Sequence, residues 1–229
     1  MALSENFKRI REEIRETEKA AGRPEGAVRL IAVSKTKPIE MLEEAWALGQ
    51  RVFGENHVQE IVEKKDAHPE YEFHMIGHLQ RNKVKAVVGR VSLIHSVDSF
   101  RLAETISAES VKKGIVTDIL LEINAAGEES KYGFTPEEAV SAAVRIAALP
   151  GVHIRGLMTV APNVEDPEEN RPVFQKIAQL AVDISAQKVD NIDMCELSMG
   201  MTNDFRTAIE EGATMVRIGT ALFGARTYV

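Results

Sequence analysis

Short apolar runs that read as buried strands alternate with helical segments about eight times along this chain, and this rhythm limits the fold more than any other feature. The strand-like runs are Leu30–Ser34, Arg51–Gly54, Glu72–Ile76, Ser92–His95, Thr117–Ile123, Val152–Val160, Met194–Ser198 and Met215–Ile218. Between them lie helical patterns at Ile39–Leu48, Val58–Ala67, Asn82–Val88, Phe100–Lys113, Pro136–Ala148, Arg171–Lys188 and Asp204–Glu211. Gly114 and Gly212 mark helix ends, and Thr135 followed by Pro136 reads as an N-cap with proline at the first helical position. Strands separated by helices pair in parallel, and about eight such units in 229 residues fit a closed barrel better than an open doubly wound sheet, the alternative. The expected fold is a single (β/α)8 TIM barrel with an extra N-terminal helix.

That extra helix precedes the first strand. Phe7, Ile10 and Ile14 give it an apolar face, Ser4 is its expected N-cap, and Gly22 with Pro24 stops it. No Gly/Ser-rich linker, low-complexity run or repeat beyond the strand–helix rhythm divides the chain. One domain over 1–229 is therefore expected, with 1–29 as the N-terminal helix and lead-in.

In a barrel the residues after each strand converge on one mouth, so the strand ends can be read as one site. They are Ser34-Lys35, Gly54-Glu55-Asn56, Gly77-His78, His95-Ser96, Asn124, Met158-Thr159, Ser198 to Thr202, and Gly219-Thr220. Lys35 reads either as a solvated cation or as a Schiff-base lysine, whose amine attacks an aldehyde once desolvation or the nearby Lys37 favours its neutral form. Ser198 to Thr202 and Gly219-Thr220 follow the last two strands, where barrel phosphate sites are commonly built. Taken singly, each segment reads equally well as turn glycines and capping hydroxyls. A lysine and an anion cradle at one mouth together suggest an aldehyde carrying a phosphate, and pyridoxal 5'-phosphate (PLP) is the common cofactor of that kind.

Charge and composition narrow the partners. The net charge of −7 and pI near 5.5 argue against a nucleic-acid or anionic-membrane surface but leave room for a small anion held locally. Cys195 is the single cysteine, so no intrachain disulfide forms, and the N-terminus has no apolar signal core. With no run near the ~20 apolar residues of a membrane span, the protein is expected to be cytoplasmic.

Longer motifs carry a resemblance. Ala32 to Pro38, Phe53 to Glu60, His74 to Lys83, Gly156 to Thr159, Leu197 to Asp204 and Val216 to Arg226 resemble, in order, the signatures of the YggS/PROSC family of pyridoxal phosphate homeostasis proteins. The resemblance implies a barrel like the N-terminal domain of alanine racemases, the fold-type III class. By motif match it implies that Lys35 forms the Schiff base with PLP, that Asn56 lies beside the cofactor, and that Ser198, Gly200, Met201 (through its backbone), Thr202, Gly219 and Thr220 form the phosphate loops. Arg217 matches the arginine facing the pyridine nitrogen, with a structural ion pair as the competing reading. His78 and Arg81 stand where many members carry proline and serine, and Thr202 where serine is common.

The resemblance further implies a carrier or buffer in vitamin B6 homeostasis with PLP-dependent enzymes as clients; a monomer is expected from the absence of the racemase dimerisation domain, and no nucleic-acid or membrane partner from the charge. A racemase of this fold needs a second acid/base group opposite its lysine, a tyrosine supplied by a separate domain of the partner subunit. This chain ends at Val229 after the eighth unit, and Tyr71, Tyr132 and Tyr228 fall away from the predicted strand ends. Three alternatives stay open: a low-activity PLP-dependent racemase or decarboxylase, a phosphosugar barrel using Lys35 as an aldolase lysine, and a metal hydrolase built on His74 and His78. The last lacks the H-E-x-x-H motif.

Overall fold

The computed structural model describes residues 2–127 and 132–224; Tyr228, Val229 and the last two residues of the Val216 to Arg226 motif lie outside them. Eight strands are present: β1 (Arg29–Val33), β2 (Val52–Glu55), β3 (Glu72–Met75), β4 (Leu93–Val97), β5 (Thr117–Glu122), β6 (Val152–Met158), β7 (Ile192–Ser198) and β8 (Met215–Ile218). They pair in parallel in chain order, and β8 closes on β1, with Ile31 opposite Arg217. The helices are α1 (Leu3–Ala20), α2 (Ile39–Ala47), α3 (Val58–Ala67), α4 (Val84–Val87), α5 (Phe100–Lys113), α6 (Pro136–Ala147), α7 (Arg171–Ser185), α8 (Phe205–Glu210) and α9 (Thr220–Phe223). The expected (β/α)8 barrel with an additional leading helix is the fold.

Strand side chains alternate between the barrel interior and the helix layer. Ile31, Val52, Leu93, Leu120, Met158 and Met215 form an inner apolar cluster, separate from the larger core between strands and helices. Two residues further along, the same inward alternation brings His95, Glu122 and Arg217 to the next layer. The interior is thus mostly apolar at the lower level, where His74 is the buried polar exception, and polar toward the mouth.

Local signals explain the helix ends. Thr135 and Glu138 form a reciprocal capping box around Pro136, and Gly114 ends α5 in the left-handed conformation. Ser4 is not the cap of α1: Ala2 holds that position without a side-chain bond, and Ser4 is already inside the first turn. The Asn82–Val88 segment divides into a 3-10 turn at Arg81–Lys83 and the four-residue α4. α7 stops at Ser185, short of Lys188, whose φ of 50° is incompatible with a continuing helix.

α1 buries Phe7, Ile10 and Ile14 as its pattern requires. Phe7 meets Phe223 edge-on at 5.8 Å, and Asn6 Nδ2 donates to the Leu222 carbonyl at 2.9 Å, so α1 braces α9 and the loop after β8. Buried Glu18 accepts from the backbone N–H groups of Gly26 (3.1 Å) and Val28 (2.7 Å), fixing the chain as it enters β1. The added helix therefore supports the end of the barrel on which both the first and last strands close.

Gly156 sits where β6 shifts register against β7, and a Cβ there would lie 1.8 Å from the Glu196 carbonyl oxygen. Only glycine permits that approach. Gly156→Ala is expected to destabilise the fold by about 3 kcal/mol, read as a lower urea midpoint with unchanged slope.

Candidate functional site

The turn carrying Lys35 is held from both sides by backbone and neighbouring side chains. Ser34 Oγ donates to Glu55 Oε1 at 2.6 Å, and Lys64 Nζ donates to the Ser34 carbonyl (2.8 Å), Glu55 Oε1 (2.7 Å) and Glu60 Oε2 (2.8 Å). The Thr36 N–H donates to Glu60 Oε2 at 2.8 Å, which suits its left-handed φ of 61°. Burial pushes the Glu55 carboxyl up, while Lys64 and Ser34 oppose the shift. Lys35, half-buried, emerges from this clamp at the C-terminal end of β1.

Lys35 lines a cavity of about 530 Å³ at the mouth together with Asn56, Thr202, Arg217, Gly219 and Thr220. Gly77 brings the loop after β3 against Asn56, since a Cβ on Gly77 would come within 2.5 Å of the Asn56 carbonyl oxygen. Lys37 does not extend into solvent: its Nζ donates to the Phe223 and Gly224 carbonyls at 3.1 Å each, joining the Lys35 turn to α9.

Arg217 enters the cavity from β8. Its Nη1 donates to both the carbonyl and the hydroxyl of Ser198 at 2.7 Å, and its Nη2 donates to the Thr159 carbonyl at 2.8 Å. Burial draws the guanidinium down to about 10, opposed by Asp204 and Glu122, so it stays charged at neutral pH. Among the described residues its side-chain partners are the uncharged Ser198 and Thr159, and no carboxylate pairs with it directly.

The loop after β7 divides its labour. Met201, Thr202, Asn203 and Asp204 line the cavity, whereas Ser198 and Gly200 do not. Ser198 is fully buried beneath Arg217, and Gly200 admits α8, because a Cβ there would meet the Ala208 Cβ at 2.6 Å. The Met201 N–H donates to Asp204 Oδ1 at 2.7 Å, and Asn170 Nδ2 donates to Asp204 Oδ2 at 2.8 Å. Asp204 thus shapes this loop, a role the sequence reading missed. It also missed the wall between β6 and α7, where Asn163 and Asn170 face the cavity.

Other strand-end residues take separate places. His74 and His78 do not converge as a metal pair: His74 bonds to His95 and Glu72 inside the barrel, while His78 pairs with Asp98 at 3.1 Å and stacks on Tyr132 at 3.9 Å. Tyr71 is buried against Trp46, with ring centroids 4.4 Å apart.

Two outcomes follow from these networks. Lys64→Met leaves the buried Glu55 carboxylate without its cation, with Ser34 as its remaining donor, and is expected to lower stability by about 3 kcal/mol; adding Glu55→Gln recovers most of that loss in urea unfolding. Glu122, raised to about 7 mainly by burial and further by Asp98, binds its proton more tightly folded than unfolded. Its contribution is complete below about pH 4.5 and disappears as pH rises through about 7, so the wild type loses about 3 kcal/mol relative to Glu122→Gln across that interval. Parallel unfolding curves at acidic and alkaline pH measure the difference.

Residues 6–227 match the family model described as alanine racemase, N-terminal domain. A curated protein of Aquifex aeolicus named pyridoxal phosphate homeostasis protein is 44% identical over 230 residues, covering 100% of both chains. A Bifidobacterium adolescentis crystal structure superposes with a TM-score of 0.91 at 39% identity, covering 96% of this chain and 94% of that one. PipY of Synechococcus elongatus, with PLP bound, superposes with a TM-score of 0.84 at 34% identity, covering 97% of this chain and 100% of PipY. With its barrel and these matches along nearly its whole length, the chain belongs to the alanine racemase N-terminal domain family and, within it, to the pyridoxal phosphate homeostasis proteins.

Proposed function

We propose that this chain binds PLP in the barrel mouth as a Schiff base on Lys35 and serves vitamin B6 homeostasis inside the cell as a monomeric carrier or buffer. The observation that carries the reading is that Lys35, Asn56 and Arg217 share one cavity with Thr202, Gly219 and Thr220 from the two loops expected to receive a phosphate. The name of the A. aeolicus relative and the PLP bound to PipY support the same ligand.

The residues suit that group. The cavity volume lies within the range of small-molecule sites. Lys35 supplies an amine that bonds to the aldehyde carbon with loss of water, a link that hydrolysis reverses. Thr202 and the start of α9 at Gly219-Thr220 offer a hydroxyl and backbone donors to the phosphate. Met201, its N–H already given to Asp204, contributes to the shape of the loop, and Ser198 and Gly200 act from beneath it. Arg217 is assigned to the pyridine nitrogen, where a permanent cation disfavours ring protonation and weakens electron withdrawal.

Holding the cofactor suits these residues better than turning over amino acids. Among the described residues lining the cavity, the ionisable side chains are Lys35, Asp204 and Arg217. Both Asp204 oxygens are engaged by Met201 and Asn170, and Arg217 is a persistent cation. Racemisation needs an acid/base group on each face of the substrate, and only Lys35 is suited to such a role here. PLP-dependent enzymes are the proposed recipients of the cofactor.

Mixing purified protein with PLP is expected to give a visible absorbance band that borohydride fixes covalently, absent in Lys35→Ala. A band that survives the loss of Lys35 overturns the assignment. Amino-acid racemisation abolished by Lys35→Ala overturns the non-catalytic role.

A further inference from the structure

A continuous line of buried hydrogen bonds crosses the barrel interior from the mouth toward its opposite end. Arg217 Nη1 donates to Ser198 Oγ at 2.7 Å, and Ser198 Oγ lies 2.8 Å from His95 Nδ1. His95 Nε2 lies 2.8 Å from His74 Nδ1, and His74 Nε2 lies 3.2 Å from Glu72 Oε1. Glu72 begins β3, where Ser92 Oγ also donates to Oε1 at 2.9 Å. Both imidazoles and Ser198 are buried, while the Glu72 side chain is 42% exposed. Four strands contribute, and residues 103 positions apart meet at the His95–Ser198 link.

The protons in this line have one consistent arrangement with neutral imidazoles. Each ring–ring contact holds a single hydrogen, because one nitrogen must donate and the other accept. Glu72 is a carboxylate at neutral pH, held down to about 2 chiefly by its bond from His74, so His74 Nε2 must donate to it. His74 Nδ1 is then an acceptor, and His95 Nε2 must donate to it. His95 Nδ1 is then an acceptor as well, and the Ser198 hydroxyl must donate its only proton there. Ser198 Oγ is left with its lone pairs for Arg217. The reverse arrangement would set an unprotonated His74 Nε2 against the carboxylate. Doubly protonated imidazoles are opposed by burial and by the charges facing them, Arg217 and Arg29, against which Glu72 and Glu196 act only at the far end.

We propose that Glu72, His74 and His95 form a one-way hydrogen-bond relay that positions Arg217 from the far end of the barrel, with both imidazoles neutral and protonated on Nε2. The carboxylate fixes the direction of every donor in the line, and the line ends by presenting Ser198 Oγ as an acceptor to the guanidinium. Donors aligned head to tail polarise one another, so the charge at Glu72 strengthens the bond at Arg217. His74 and His95 are positioning residues; neither reaches the cavity. The consequence for the cofactor rests on the proposed PLP role of the mouth, but the relay itself is a property of the cofactor-free protein.

Two-bond proton–nitrogen spectra of the cofactor-free chain labelled with 15N-histidine test the relay directly. Both imidazoles are expected as the neutral Nε2–H form from the ordinary histidine pKa of about 6.5 up to about pH 8. Glu72→Gln, a change at a partly exposed position, lets the amide donate to His74 and is expected to bring in the Nδ1–H form of both rings together. Wild-type rings in the Nδ1–H form, rings that take up a second proton in this interval, or a Glu72→Gln spectrum unchanged from wild type would overturn the relay. PLP titration then reads the positioning role: Glu72→Gln is expected to weaken binding about fivefold, the worth of one hydrogen bond, and equal affinities would overturn it. Failure of the wild type to bind PLP would instead overturn the proposed function, and the spectra would still decide the relay.

Discussion

A guanidinium cut off from water must find its hydrogen bonds inside the protein, and Arg217 finds them at the frayed ends of neighbouring strands. β7 and β8 share a short ladder, with Ser198 opposite Met215 as their one paired position. Beyond it the Arg217 side chain takes over, binding Ser198 on β7 and Thr159 just past β6. The Arg217 N–H also donates to the Gly200 carbonyl at 3.0 Å, so backbone and side chain together set the loop that forms the cavity floor. Losing one partner of such a buried charge is costly because the remainder has no water to turn to. The shape of the mouth therefore depends on this one residue more than on any ladder bond near it.

The buried polar groups beneath the mouth are tolerable because they are arranged in two nearly closed networks, one between the strand ends and α3 and one inside the barrel. Ser34, Glu55, Lys64 and Glu60 hold the turn beneath Lys35, and the line from Glu72 to Ser198 holds Arg217. Each network begins with backbone or side-chain groups outside the cavity and ends next to it. Rigid support of this kind lowers the ordering cost of binding, because the donors are already in place before a ligand arrives. A few buried atoms, among them Glu55 Oε2 and Asn170 Oδ1, have no protein partner.

The fold was legible because its signals are local. Strand–helix alternation, the Thr135-Pro136 helix start and Gly114 each depend on residues within a few positions, and Lys35 could be placed at the mouth because it stands just past the apolar run of the first strand. What escaped depends on contacts across the fold. The Ser198–His95 bond spans 103 positions, and nothing beside either residue marks it. Asp204 looked like the start of a helix, and its bonds to Met201 and Asn170 appear only once two loops meet. Ser198 and Gly200 were grouped with Thr202 by motif, although the strand end carries them below the cavity that Thr202 lines. Spacing in sequence locates a loop, but burial decides which of its residues face a ligand.

Charge is distributed against the grain of the composition. The chain carries a net −7, which repels polyanions at long range. At the mouth, however, Lys35 and Arg217 share a cavity whose lone lining carboxylate among the described residues, Asp204, is tied up by two hydrogen bonds. Lys37 sits close by, its ammonium fixed on the carbonyls of Phe223 and Gly224. Screening confines the attraction of this cluster to about 8 Å at physiological salt. A phosphate on a small molecule can enter that radius, whereas a nucleic acid or an anionic membrane must bring its other charges against the acidic exterior. The acidic surface and the basic mouth together select for a small anion.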